Sequence, residues 1–300
     1  MQKSVWWWGG DFLSTTGYEV VKIFNNNVLL AKHQGTEKIL IKKGIGFSRK
    51  IADLIPEETS FEKIFSIENS ETSHKFNQLL AAVDPHLVGI CEEILCFISS
   101  KIASTITEEM HIRLIDHIAF TIYRLQHHDT IENPFIVEIE TLYSQEYEIA
   151  RQAVRLLEKS VAMSIPDSEI GFITLHIHTL RSNGKLSSTI KNAYICNSVL
   201  ELIEDELCIE VDRKSIDYAR FVCHIRFAAE RITQNIPIRN DLLMSIRKTY
   251  KNSYKLAQKV SRFMEEELTL NVPEAETGFI AMHIERLKNA SSYGSSYVDK

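Results

Sequence analysis

The chain repeats itself at a fixed spacing of 107 residues, and no other feature limits its fold as strongly. Leu114-Ile115-Asp116-His117-Ile118-Ala119-Phe120 lies over Phe221-Val222-Cys223-His224-Ile225-Arg226-Phe227, which aligns His117 with His224. Pro166 to Ile177 lies over Pro273 to Ile284 without a gap, aligning His176 with His283. Arg124 and Arg231, Asn133 and Asn240, Tyr143 and Tyr250, Tyr147 and Tyr254, Ala150 and Ala257, and Arg155 and Arg262 fall on the same offset. From Pro166 to Leu180, 8 of 15 positions are identical to their partners, where average residue usage gives about one. The period is too long for a short-unit solenoid, and the apolar spacing from about residue 75 to 290 is helical. Two tandem all-α domains of one fold follow, with boundaries expected at 72–182 and 183–294.

Each copy keeps two histidines 59 residues apart, on or beside apolar helix faces: Leu114, His117, Ile118 and Thr121 in one helix, Phe172, Leu175, His176, Thr179 and Leu180 in another. One reading is a hydrogen-bonded core histidine; the other is metal binding, acid-base chemistry or phosphoryl acceptance at an imidazole nitrogen. A metal needs further ligands, and Asp116 becomes Cys223, while Glu169 and Glu276 stand where they favour a helix's positive pole. No metal site is expected. His127, His128 and His178 align with Gln234, Asn235 and Glu285, and the His128-Asp129 dipeptide is a weak match to metal-dependent phosphohydrolases. There is no P-loop, no dinucleotide-binding glycine pattern and no nucleophile elbow. No catalytic residue and no cofactor is assigned, and the chain reads as a protein other than an enzyme.

Ahead of the repeat the charge reverses. The net formal charge is -6, yet residues 20 to 50 carry seven cations against Glu37 alone, a local +6 that leaves -12 for the rest. A basic module on an acidic body suits a polyanionic partner, although a solvated lysine-rich hairpin gives the same asymmetry. Tyr18 to Phe24, Val28 to Lys32 and Glu37 to Ile41 read as strands, separated by Asn25-Asn26-Asn27 and a glycine-containing turn at His33 to Thr36. Gly44 and Gly46 then allow tight backbone approach or positive φ. The asparagines close hairpins on one reading. On the other, their amides face unpaired RNA bases while Lys22, Lys42 and Lys43 meet phosphates and Phe47 offers a stacking face. Five scattered cysteines form no disulfide framework or zinc motif. With no 20-residue apolar run and no signal-like start, a cytoplasmic protein without membrane insertion is expected, with residues 1–17 as an irregular extension around Trp6-Trp7-Trp8.

On these residues the chain resembles the transcriptional antiterminators of the BglG/LicT type, regulated by the sugar phosphotransferase system, and within them the glucose-operon branch. Lys22-Ile23-Phe24-Asn25-Asn26-Asn27-Val28 and Gly44-Ile45-Gly46-Phe47 resemble the family's co-antiterminator RNA-binding domain, here 18–66. The two copies resemble its paired regulation domains. The resemblance implies a small antiparallel β RNA-binding domain followed by two helical-bundle domains, acting as a homodimer on an antiterminator hairpin in a leader mRNA. It implies RNA contacts or loop shaping by Lys22, Asn25, Asn26, Asn27, Gly44 and Phe47. It implies phosphorylation of His117, His176, His224 and His283 by the histidine-containing phosphocarrier protein and a sugar-specific permease (enzyme II). Lys42 stands where relatives often have Gly, and Cys223 where the first copy has Asp116. A DNA-binding activator with the same helical domains is the alternative; it requires a helix-turn-helix where residues 18 to 50 read as strands.

Overall fold

The structure, a computed structural model, describes residues 17–102, 106–182 and 184–294. The expected extension lies outside them except for Gly17, which opens the first strand and pairs with Pro56. Alternation in Gly17–Ile23 (β1) and continuous apolar runs in Val28–His33 (β2) and Thr36–Ile41 (β3) build three strands, and the short strands Leu54–Pro56 (β4) and Lys63–Ile67 (β5) join them. All pairings are antiparallel and the order is β4-β1-β2-β3-β5. Three strands were legible in the sequence; β4 and β5 are too short for a period of two to register. The turn between β2 and β3 shrinks to Gln34-Gly35, both at positive φ (49° and 86°), the primed geometry that matches strand twist. His33 therefore belongs to β2, where it is buried and stacks on Tyr18 at 4.4 Å.

Both faces of the sheet are covered. Tyr18, Val20, Leu29, Ala31, Leu40, Ile45 and Ile55 pack together, while the alternate residues Leu30, Ile39 and Phe65, aligned across three strands, are buried on the other side. A strand with both neighbouring positions buried needs cover on each face, and helices supply it on the second.

Eleven helices follow among the described residues: Ser70–Ala82 (α1), Pro85–Lys101 (α2), Glu108–Gln126 (α3), Ile136–Leu142 (α4), Ser144–Val161 (α5), Asp167–Ser182 (α6), Leu186–Leu207 (α7), Ile216–Thr233 (α8), Leu243–Thr249 (α9), Lys251–Leu268 (α10) and Glu274–Gly294 (α11). Asn69 caps α1 by accepting from Glu71 N and Thr72 N, which sets the helical start slightly earlier than the pattern suggested. Among the described residues no α-helix precedes Ser70, so the segment that a helix-turn-helix would need is sheet.

The helices α4 and α9, and α5 and α10, begin and end 107 residues apart. So do two pairs of left-handed residues, His128 with Asn235 (φ 59° and 53°) and Ala162 with Thr269 (φ 51° and 55°). His128 thus follows the end of α3 as a turn residue, a conformation that His and Asn tolerate better than most. A Cβ on Gly171 would come within 2.6 Å of Asn133 Nδ2 and 2.8 Å of Ile136 Cδ1; on Gly278 it would meet Asn240 Nδ2 and Leu243 Cδ1 at the same distances. Both copies therefore use glycine to seat the loop before a short helix.

The chain forms two compact units. One holds the sheet, α1, most of α2, α3 and the last residues of α5. In it α1 packs on α3, and Phe65 of β5 meets the His111 ring edge-on at 4.6 Å. His111 is buried and paired with the equally buried Glu92 at 2.9 Å. The other unit holds α4, most of α5 and α6 to α11. Its core joins Val199, Phe221, Ile225, Ala257, Val260, Ile280 and Ile284, and Tyr218 Oη donates to Glu138 Oε1 on α4 at 3.0 Å. Among the described residues no helix is long and apolar enough to cross a membrane, and no group of three or more His, Cys, Asp or Glu is placed to hold a metal ion. All five cysteines are free.

Candidate nucleic-acid interface and histidine sites

The turn after β1 and the loop after β3 form one surface. Asn25 Oδ1 accepts from Asn27 N and Val28 N at 2.8 and 2.9 Å, closing the turn as an Asx turn. Asn27 Oδ1 accepts from Gly44 N at 2.9 Å, Asn27 O from Lys42 N at 3.0 Å, and Asn26 O from Gly46 N at 2.9 Å. Gly44 has φ +74°, and a Cβ on Gly46 would fall 2.2 Å from Asn25 O, so the two glycines are needed for different reasons. Five of the six residues singled out in the sequence, Asn25, Asn26, Asn27, Gly44 and Phe47, are thereby brought together. Asn26, Lys43, Gly44, Arg49 and Lys50 are exposed, and Phe47 is 71% exposed, an unusual setting for an aromatic ring.

The sixth residue, Lys22, turns elsewhere. Its Nζ donates to Leu80 O, in the last turn of α1, at 3.2 Å. The asparagine amides also meet a helix: Asn25 Nδ2 and Asn27 Nδ2 both donate to Glu93 Oε1 on α2, at 2.8 and 3.2 Å. Glu93 carried no signal in the sequence, because the Glu92-Glu93 pair on a helix reads as a solvated face.

The second pair of repeated histidines is adjacent. His224 on α8 and His283 on α11 stack with ring centroids 4.7 Å apart. Burial, with the Arg231 charge, drives His224 down to about 4, and burial, with His224 and Arg286, does the same for His283. Both rings are therefore neutral near pH 7 and keep an unprotonated nitrogen lone pair. Glu276 Oε2 stands 3.6 Å from His224 Nε2, and the same carboxylate binds Arg231 Nε and Nη2 at 2.7 and 3.0 Å. Glu276 stands in the first turn of α11, as its position in the sequence suggested, and it is also 1% exposed and faces the histidine. In the first copy His117 on α3 and His176 on α6 are each half-buried, and Arg124 and Glu169, the offset partners of Arg231 and Glu276, are buried.

An exposed aromatic beside amides, tight glycines and cations is suited to single-stranded or looped RNA, and neutral half-buried imidazoles are suited to accept a phosphoryl group. Two family models cover these segments: the CAT RNA binding domain matches residues 18–74, and the PRD domain matches 92–180 and again 197–287. The chain belongs to the CAT–PRD antiterminator family.

Members of this family are RNA-binding regulators whose PRD domains respond to the phosphotransferase system. The PtsGHI operon antiterminator of Bacillus subtilis (strain 168) is 36% identical over 278 residues, covering 92% of this chain and 99% of its own length. Protein GlcT of Staphylococcus epidermidis is 31% identical over 269 residues, covering 89% and 95%. The crystal structure of GlcT CAT-PRDI shares 38% identity and covers 56% of this chain and 99% of that one, with a TM-score of 0.48.

Proposed function

We infer that this CAT–PRD protein binds, as a homodimer, an antiterminator hairpin in the leader mRNA of a glucose phosphotransferase operon and lets transcription continue past the terminator. The observation that carries the RNA step is the union of the Asn25–Asn27 turn with the Gly44–Phe47 loop through the Asn27–Gly44 hydrogen bond. The amides and the Phe47 ring would read unpaired bases, and Lys43, Arg49 and Lys50 would neutralise phosphates. The glucose operon is argued from 36% identity to the PtsGHI operon antiterminator.

Control would come through phosphorylation of His117, His176, His224 and His283, the phosphocarrier protein and the sugar permease acting as donors. At such a site the unprotonated nitrogen attacks phosphorus, the donor's bond to phosphorus breaks, and the departing donor atom takes up the proton that the attacking imidazole releases. The product adds up to about two negative charges to a half-buried face. At His224 that charge would lie beside Glu276 and compete with it for Arg231, so the local ion pair would have to rearrange. A local rearrangement that favours one packing of the PRD domains over another is how charge on a helix would reach the RNA module.

Two measurements on the full chain test this reading. Incubation with phosphoenolpyruvate, the general phosphotransferase proteins and the glucose permease should give an acid-labile label that is abolished when all four histidines are replaced by Ala. A label that persists in that variant rejects the histidine assignment. Binding to the leader hairpin should weaken with salt and be lost in Asn27→Ala, with duplex DNA of equal length as the comparison. Equal affinity for both nucleic acids rejects the RNA assignment.

A further inference from the structure

We propose that the Asn25 and Asn27 amides and Lys22, part of the RNA-binding face, are masked from within the same chain by Glu93 and the helices α1 and α2 of the first regulation domain, while Phe47, Lys43, Arg49 and Lys50 stay exposed. The proposal rests on the reading of Asn25 and Asn27 as RNA-contacting residues. It adds that their donors are already occupied in the state described here.

The two halves of each asparagine do different work. The carbonyl oxygens of Asn25 and Asn27 are used inside the RNA-binding module, closing the turn and holding the Gly44 loop. The amide NH2 groups are not needed for that, and both are given to one oxygen of Glu93. A carboxylate that accepts from two amides occupies the position a phosphate oxygen or a base acceptor would take, with the same sign of charge. It blocks the donors and repels the ligand together.

Two further contacts make the closure specific. Lys22, a cation assigned to phosphate, is held by Leu80 O at the carbonyl-rich end of α1. Gly89, one turn before Glu93 on α2, lies so close that a Cβ there would come within 2.6 Å of Asn25 Nδ2 and 3.1 Å of Phe24 Cβ. Absence of a side chain at Gly89 is what lets α2 reach the turn. Beside the contact runs an open groove of about 560 Å³ lined by Asn27, Lys43, Glu62, Glu93, Cys96 and Phe97. Water therefore reaches the Glu93 hydrogen bonds, and their net strength is modest. A contact of that strength can be displaced by RNA or by rearrangement of the helices that carry it.

The test is the affinity of the full chain for the leader hairpin at fixed salt, in wild type, Glu93→Ala, Glu93→Gln and Gly89→Ala. Glu93→Ala should tighten binding about tenfold, the equivalent of roughly 1.4 kcal/mol. Glu93→Gln, which keeps the shape and loses the charge, should give a smaller gain. Gly89→Ala, which leaves the charge and pushes α2 away, should also tighten binding, so the result does not depend on any one variant folding. Glu58→Gln, at an exposed position in the same module, sets the effect of removing a negative charge in general. Gains no larger than that of Glu58→Gln, with Asn27→Ala still abolishing binding, overturn the closure and leave the RNA reading intact. If Asn27→Ala leaves binding unchanged in both the wild-type and Glu93→Ala backgrounds, the RNA face itself is misassigned and the closure falls with it.

Discussion

The two copies of the repeat agree in backbone and disagree in chemistry. The left-handed residues at 128 and 235 and at 162 and 269, and the glycines at 171 and 278 seated against Asn133 and Asn240, recur at the same offset and with the same distances. The polar pair linking the penultimate and last helices does not recur. In the first copy the acid is Glu146 on α5, paired with His178 at 3.2 Å and Arg181 at 3.0 Å on α6. In the second, the matching position on α10 is Ser253, which donates to Glu285 Oε2 on α11 at 2.5 Å, while Lys288 stands 3.7 Å from the same acid. The carboxylate has changed helices and the cation has kept its place. Duplication has held the positions where backbone meets backbone and let side chains exchange wherever a pair could be rebuilt.

The strongest way to break the comparison is at the glycines. Gly171→Val and Gly278→Val should each destabilise their copy by about 2–3 kcal/mol, since the new side chain must displace an asparagine amide and a packed methyl group. Hydrogen exchange resolved to α6 and α11 should show losses of the same size, and a large loss at only one would mean the copies tolerate the intrusion differently. Acid titration of the second copy comes next. His224 and His283 sit at about 4 in the folded chain, against about 6.5 when free. As pH falls, the unfolded state takes up protons first, so this contribution is complete above about pH 6.5 and drains between there and about pH 4. The loss should be on the order of 3 kcal/mol for each ring, and His224→Gln with His283→Gln should flatten it in α8 and α11. An unchanged slope in the double variant would show that these rings are not the source.

What could be read in advance, and what could not, follows the range of the interaction. The repeat, the three long strands and the turn chemistry of Asn25 and Gly44 are local or periodic, and the sequence displays them directly. The strands β4 and β5 have three and five residues and gain their place only by pairing with β1 and β3. Glu93 meets Asn25 across 68 positions, with nothing local to mark it. Glu276 was visible as a first-turn acid of α11, which it is, but that is a sufficient electrostatic reason for it to be there, and only burial reveals that it also answers Arg231 and His224. The histidines stood out because the chain contains its own second copy.

Smaller effects sharpen the comparison. Glu146→Ser and His178→Glu, made singly, should each cost about 1–2 kcal/mol, Glu146→Ser by removing the partner of a paired histidine and arginine. Made together they rebuild the arrangement of the second copy, with Arg181 where Lys288 stands, and should recover most of the loss. A double-mutant cycle on α5 and α6 exchange reads the coupling, and simple additivity would refute the exchange of helices argued above.

The smallest difference expected lies inside the feature the copies share most closely. Asn240 is satisfied at both ends, its Nδ2 donating to Ala275 O at 3.1 Å and its Oδ1 accepting from Leu242 N at 3.1 Å. Asn133 keeps the second bond, from Phe135 N at 3.1 Å, but among the described residues its buried Nδ2 has no hydrogen-bond partner. Truncation removes two bonds in one case, and in the other one bond together with an amide that already bears a desolvation cost. Asn240→Ala should therefore destabilise the start of α9 by about 1 kcal/mol more than Asn133→Ala destabilises the start of α4. Hydrogen exchange at Leu243 and Ile136 measures the two directly. Equal losses would mean that the Asn133 amide is as well placed as its partner, and the near-identical backbone would then extend to the hydrogen bonds.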